Sequence, residues 1–367
     1  MHLALVINSL GIGGAERVLI RLANYWADKG HTISLIVFFQ AKNSYQVITN
    51  NNIRLINLDE NYLLQKNSGN IKYFFNIINR IFNLRQKIKL LQPDIIVSFL
   101  VGANICVLLA NIYSKIPVIV SERADPLMHN ISTFYKKLRL LTYKYAAVIT
   151  VQNNNIAQYF LGKFENKVFI IPNSVTLPTM KKNSEIVVIK KIISVGRLDL
   201  QKDHKTLIYA FAKIAAIYPD VTLTIYGDGE LREFLQNLLA ELKLTDKVLL
   251  PGIVNNIQEK LIEADLFVFP SIAEGFSNAL CEAMSYGLPV IAADCTGNVN
   301  IIEKEVNGLL FKCGDIEELA FLMQKLLNNS EYCNKLASNA KNIVHRFAES
   351  EILKLWDDVL EFSRASK

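Results

Sequence analysis

Short apolar runs separated by stretches of helical spacing recur along almost the whole chain, and no other feature limits its fold so tightly. Residues 3–8, 32–39, 53–58, 95–99, 118–121, 147–151 and 168–171 read as strands. A helix ending at Gly30 and helices at 71–91, 104–113 and 134–145 lie between them. Strands alternating with helices to this depth predict a parallel, doubly wound sheet. The rhythm breaks once, at PNSVTLPTMKKNSE (172–185), where two prolines, polar residues and two lysines mark a linker. It restarts with strands at 192–195, 222–226, 248–251, 266–269 and 290–292 and helices at 205–216, 230–242, 257–264, 277–286 and 316–328. A chain of 367 residues exceeds what one core usually serves. The expectation is α/β: two Rossmann-like doubly wound domains facing across a cleft, at 1–175 and 186–345. The amphipathic helix 349–367, with Trp356 as anchor, is expected to pack back onto the first domain.

The net charge of +6 hides an asymmetry that bears on partners. Residues 1–180 carry 19 Lys and Arg against 8 Asp and Glu, whereas 181–367 carry 21 against 26. A basic half suits an anionic partner: nucleic acid, a membrane surface or a phosphorylated substrate. No recognised motif supports nucleic acid. The helices at 71–91 and 134–145 mix Lys and Arg with Phe, Tyr and Leu, as interfacial helices do, although each could bury its aromatic side against the sheet. Five cysteines form no C-x-x-C and no ligand-like pairing with the five histidines, which points to reduced core thiols in a cytoplasmic protein and to no metal. HLALVIN lacks the length and basic flank of a signal peptide. Residues 95–113 are long enough to suggest a membrane span, but Gly102, Asn104 and Asn111 interrupt them, so a strand and a buried helix are expected.

Chemistry concentrates where strands end. SIAEGFSNALCEAMSYG (271–287) reads as a loop entering a helix, with Glu274 in the loop and Glu282 about two turns into the helix. Backbone N–H groups of Ser277, Asn278 and Ala279 would open that helix, and such an end attracts phosphate. Two acids for hydroxyls and an anion-binding helix start fit a nucleotide-sugar, and they also fit a solvated helix with two ordinary glutamates. VGRLDLQKDH places Arg197 and Lys202 after another strand, where cations could hold a leaving diphosphate. GIGGAER (11–17) lets backbone approach a ligand closely, but it lacks the full G-x-G-x-x-G, and no acid ends the second strand. YGDGE (226–230) reads as a turn. In SERAD, Glu122, Arg123 and Asp125 could orient an acceptor hydroxyl at the same mouth, or form a salt-bridged loop.

GGAER, VGRLDLQKD, YGDGELRE, FPSIAEGFSNALCEAMSYGLPVIA and NGLLF, in this order, resemble the family 4 retaining glycosyltransferases of GT-B fold. GGAERVLIRLAN, VSFLVGANICVLLAN and VSERAD are similar to the bacterial branch that extends polyprenyl-pyrophosphate-linked glycans, which includes N-acetylgalactosaminyltransferases. The resemblance implies an acceptor-binding first domain, a donor-binding second domain and a nucleotide-diphosphate sugar, UDP-linked, as donor. It implies Arg197, Lys202 and Glu274 as catalytic residues, the two cations on the diphosphate and the acid on the donor sugar. Gly13, Gly14, Gly196, Gly275, Phe276, Ser277, Asn278, Ala279, Leu280 and Glu282 would bind the donor, Glu282 through the ribose. Glu16, Arg17, Glu122 and Arg123 would face the acceptor. The chain departs from the family at Arg123, near where relatives keep a histidine, and at Asn300, where they keep a glutamate. With no D-x-D, neither metal nor cofactor is expected, and the protein would sit peripherally on the inner face of the plasma membrane. A soluble or protein acceptor, and a nucleotide-binding module without catalysis, are the alternative readings.

Overall fold

The structure, a computed structural model, describes residues 1–11, 13–39, 50–58, 70–128, 131–178, 180 and 185–365, with the side chains of 70–75 outside that description. Ile12, the side chains of Lys72 and Phe74, and linker residues 179 and 181–184 therefore lie outside the described residues. Met1–Asn173 with Ser350–Lys367 form one compact unit, and Ser174–Glu349 the other.

In the first unit β1 (His2–Ile7), α1 (Gly14–Asp28), β2 (Thr32–Val37), β3 (Ile53–Asn57), α2 (Asn70–Leu91), β4 (Ile95–Phe99) and α3 (Val101–Asn111) come first. They are followed by β5 (Val118–Ser121), α4 (Thr133–Tyr143), β6 (Val148–Val151), α5 (Asn154–Leu161) and β7 (Val168–Ile170). The strands pair in parallel in the order β3-β2-β1-β4-β5-β6-β7. Strand order reverses beside β1 and β4, which makes a topological switch point. Both faces are buried, so successive residues of β1 feed different clusters. Leu3, Leu5 and Ile7 pack with Trp26, whereas Ala4 and Val6 pack with Phe38.

The second unit contains β8 (Lys191–Val195), α6 (His204–Ala215), β9 (Thr222–Tyr226), α7 (Arg232–Glu241), β10 (Val248–Gly252), α8 (Ile257–Glu263) and β11 (Leu266–Phe269). It continues through α9 (Asn278–Ser285), β12 (Val290–Ala293), α10 (Thr296–Val299), β13 (Leu309–Phe311), α11 (Ile316–Leu327), α12 (Ser330–Ala340) and α13 (Ile343–Arg346). Its parallel order is β10-β9-β8-β11-β12-β13, with the switch point beside β8 and β11. Leu266 and Val268 face one core cluster and Phe267 and Phe269 the other.

The last helix, α14 (Glu349–Ala365), belongs with the first unit from Ser350 onward. Ile352, Trp356, Val359 and Leu360 join the cluster around Trp26. The Trp356 ring stacks on Phe99 at 5.6 Å and meets Trp26 edge-on at 6.3 Å. Asp357 accepts from the Tyr25 hydroxyl at 2.7 Å, Trp26 Nε1 at 3.0 Å and Lys29 Nζ at 2.6 Å.

The units divide between Asn173 and Ser174 rather than at 175. Val175 is buried in the second unit's core, where its N–H donates to Phe347 O at 2.9 Å. The apolar spacing does not reveal α5, α10, α12, α13 or β13. LLF is too short to show a period, and α12 buries only Cys333, Leu336, Ala337 and Ala340 within a polar run. Residues 95–113 form β4 and α3, and among the described residues no helix is long and apolar enough to cross a membrane.

Candidate active site

The loops after β8 and β11 flank the switch point of the second sheet, so VGRLDLQKDH and SIAEGF meet although 72 positions separate Lys202 from Glu274. Lys202 Nζ bonds Glu274 Oε1 directly, and both side chains are mostly covered, at 15% and 11% exposure. The Ser271 hydroxyl lies 2.6 Å from the same Oε1. Gln201 ties the two loops together: its carbonyl accepts from Ile272 N at 3.0 Å, and its Nε2 donates to Ala273 O. Phe269 adds a ring 5.0 Å from the Lys202 ammonium. Gly297 permits the close approach of the Glu274 loop, because a Cβ there would lie 2.6 Å from Glu274 Cβ.

Arg197 is different in kind. Its side chain is 71% exposed and pairs with Asp199 at 3.0 Å, so it stands at the mouth, and Lys202 stands inside it. His204, the first residue of α6, is buried beside Gly196. Burial and the Lys202 charge push its pKa down to about 4, so the imidazole is neutral next to the ammonium.

Helix α9 starts at Asn278 with no side-chain cap from Ser277, whose hydroxyl turns instead to the buried Asn298 at 2.5 Å. The positive end of the helix is thus left to attract an anion at Ala279 and Leu280. The Asn278 N–H points back to Phe276 O at 3.2 Å. Phe276 itself is a core residue, packed edge-on against Phe347 at 5.1 Å, so it can offer a ligand only its backbone. Glu282 sits on the partly exposed side of α9 and accepts from Gln258 Nε2 at 3.4 Å. Gly275 lies in the loop between Glu274 and the buried Phe276.

In the first unit, Gly13 caps α1 and Gly14 begins it. A Cβ on Gly13 would lie 2.3 Å from Glu16 Oε2, so the Glu16 carboxylate folds back over this helix start. The acid itself supplies negative charge to the helix end. Arg17 is exposed on the following turn. Glu122 requires a correction: it is 1% exposed and faces the interior, not the mouth. Its carboxylate accepts from Tyr143 Oη at 2.5 Å and lies 3.9 Å from the wholly buried Arg139. Asn104 and Ser98 extend this network through bonds of 2.8 and 2.6 Å. Burial raises the Glu122 pKa against the pull of Arg139 and Tyr143. Asp125 is likewise buried and accepts from Leu127 N at 2.9 Å, which shapes its own loop.

Arg123 does stand at the carboxyl end of β5. It donates to Asn173 Oδ1, covers the Phe99 ring at 4.8 Å, and burial lowers its pKa to about 9. Next to it Leu100 has φ +74, a strained backbone for a leucine, at the switch point between β1 and β4. Asn300 directs its amide to Thr296 O at 2.8 Å.

Sequence reasoning missed Ser271, Gly297 and Gln201. Ser271 lay inside a stretch already singled out, but nothing in its spacing tells a serine that orders a carboxylate from one that ends a strand. A cavity of about 600 Å3 lined by Asn111, Lys115, Tyr145, Lys167 and Phe362 opens at the amino ends of β5 and β6. That end of the sheet is opposite the motif-bearing loops, so it is not this site.

Residues 12–177 match the family described as Glycosyltransferase Family 4, and residues 178–343 the one described as Glycosyl transferases group 1. An uncharacterized glycosyltransferase of Methanocaldococcus jannaschii is 31% identical over 268 residues, 66% of each chain. The Campylobacter jejuni GalNAc-alpha-(1->4)-GalNAc-alpha-(1->3)-diNAcBac-PP-undecaprenol alpha-1,4-N-acetyl-D-galactosaminyltransferase is 26% identical over 362 residues, 97% of each chain. Among solved structures, Anabaena HepE in complex with UDP superposes with a TM-score of 0.79 at 19% identity, over 98% of this chain and 100% of that one.

Proposed function

The chain belongs to glycosyltransferase family 4, and on that footing we propose that it moves a hexose or N-acetylhexosamine from a UDP-sugar to a polyprenyl-pyrophosphate-linked glycan. The observation that carries this reading is the Lys202–Glu274–Ser271 cluster beside the uncapped start of α9. A cation, an ordered acid and a positive helix end match the diphosphate and the sugar hydroxyls of one ligand. UDP is favoured because the similar HepE was solved with it, and the lipid-linked acceptor because the similar C. jejuni enzyme is named for one.

In the reaction, the bond between the anomeric carbon and the diphosphate oxygen breaks as an acceptor hydroxyl bonds to that carbon. The hydroxyl proton passes to the departing diphosphate, and configuration is retained without a covalent enzyme intermediate. Positive charge grows on the sugar and negative charge on the leaving group. Lys202, Arg197 and the α9 amides would meet the negative charge on the leaving group, and Glu274 would hold the sugar hydroxyls. These cations would do the work for which other transferases use a divalent metal, so we propose a metal-independent reaction.

The first unit would present the acceptor at a membrane surface. Leu127, Met128, Phe134 and Leu141 are exposed on and beside α4, whose sequence also carries Lys136 and Lys137. Screening UDP- and GDP-sugars for binding and hydrolysis, then repeating transfer with lipid-linked acceptors, tests the reading. Turnover of a UDP-sugar only with a lipid-linked acceptor is expected. Binding of no nucleotide-sugar would overturn it.

A further inference from the structure

The YGDGE turn after β9 is seated against the loop that carries Arg197. Gly227 has φ +137, and a Cβ on it would lie 1.9 Å from Gly196 O. A Cβ on Gly229 would lie 2.4 Å from Leu198 O. Three backbone bonds join the segments: Gly196 N to Tyr226 O at 2.9 Å, Leu198 N to Asp228 O at 3.1 Å, and Leu231 N to Leu198 O at 2.9 Å. Arg232 braces the turn from behind, donating to Asp228 Oδ1 at 2.7 Å, Leu250 O at 3.0 Å and Gly227 O at 3.2 Å. On the other side of Gly196 lies the Lys202 stem, 3.2 Å from where a Cβ would be. The residues on both sides of Arg197 are therefore fixed by the turn, and Lys202 packs against the same glycine.

We propose that Gly227 and Gly229 are positioning residues for the donor diphosphate: their missing side chains let the turn seat against the 196–198 loop and set where Arg197 and Lys202 stand. This rests on the donor-binding role given to those two cations. Any Cβ at Gly227 must push the Gly196 carbonyl away by about an ångström or more, and backbone rather than a flexible side chain is in the way. The loop moves, and the cations move with it.

Gly314 supplies the control. It shares the left-handed backbone, at φ +78, but a Cβ there meets nothing within 4 Å. Calorimetric titration with UDP and GDP, together with melting temperatures, separates the two effects. Gly227→Ala and Gly314→Ala should both melt lower, from the shared backbone strain. Only Gly227→Ala and Gly229→Ala should lose nucleotide affinity, by about tenfold, with Gly314→Ala within about twofold of wild type. Should Gly227→Ala fail to fold, Gly229→Ala against Gly314→Ala makes the same comparison. Wild-type binding with all three variants alike overturns this inference alone. A wild-type protein that binds neither nucleotide overturns the functional reading, and this inference falls with it.

Discussion

Glu274 is held by two neighbours at one oxygen. Oε1 is shared by Lys202 Nζ and the Ser271 hydroxyl, and Gly297 removes the Cβ that would block the loop. Replacing Lys202 by alanine takes away a cation that the proposed function sets against the leaving diphosphate. Turnover should fall roughly a hundredfold to a thousandfold, read as kcat at saturating donor. Ser271→Ala removes one hydrogen bond to a carboxylate, worth about 1.5–3 kcal/mol, so kcat should fall about tenfold to a hundredfold, and Ser271→Thr should recover part of it. An unchanged kcat in both would remove the role assigned to this cluster. His204 gives a pH test. Its folded pKa of about 4 lies below the ordinary 6.5, so the folded state prefers the neutral ring. That stability is complete above pH 6.5 and drains as pH falls toward 4, by roughly 3 kcal/mol in all. His204→Gln should therefore flatten the acid side of the melting-temperature profile between those pH values, and an unchanged profile would count against the assignment.

Among the elements, α14 contributes one of the two buried tryptophans of the first unit's core. Trp356 is 1% exposed between Phe99 and Trp26, and Asp357 collects three donors from α1 and the residue after it. Trp356→Ala should cost about 3–5 kcal/mol of the first unit's stability, visible as a lower denaturation midpoint. Lys29→Ala should cost less than about 1 kcal/mol, because that ammonium is half exposed. The sequence announced α14 by its amphipathic spacing and its tryptophan. It did not announce α12 or β13, which have too few apolar residues to show a period before their neighbours bury them. Glu122 failed for a related reason. A charged residue at a strand end reads as exposed, and only the packing of Tyr143, Asn104 and Arg139 around it reveals an interior network.

At the scale of the whole molecule, the uneven charge is the property to test. The excess of Lys and Arg over Asp and Glu in residues 1–180 predicts a preference for anionic over neutral vesicles. Each basic residue near such a surface adds roughly 1 kcal/mol, and about 0.5 M salt should screen most of it. Flotation without any preference for anionic lipid would remove the membrane from the proposed function. By itself the sequence determined two parallel-sheet units, because runs buried on both faces must be apolar and the helices between them must be amphipathic. It also marked the candidate loops, since motif and strand end coincide at Arg197, Lys202 and Glu274, with Glu282 following in α9. Only the tertiary structure decided which of those residues meet. Lys202 and Glu274 touch because β8 and β11 are neighbours at the switch point, and strand order is a property of the sheet rather than of any window of residues. It likewise separated the inward Glu122 from the outward Arg197, because burial depends on what packs from elsewhere in the chain.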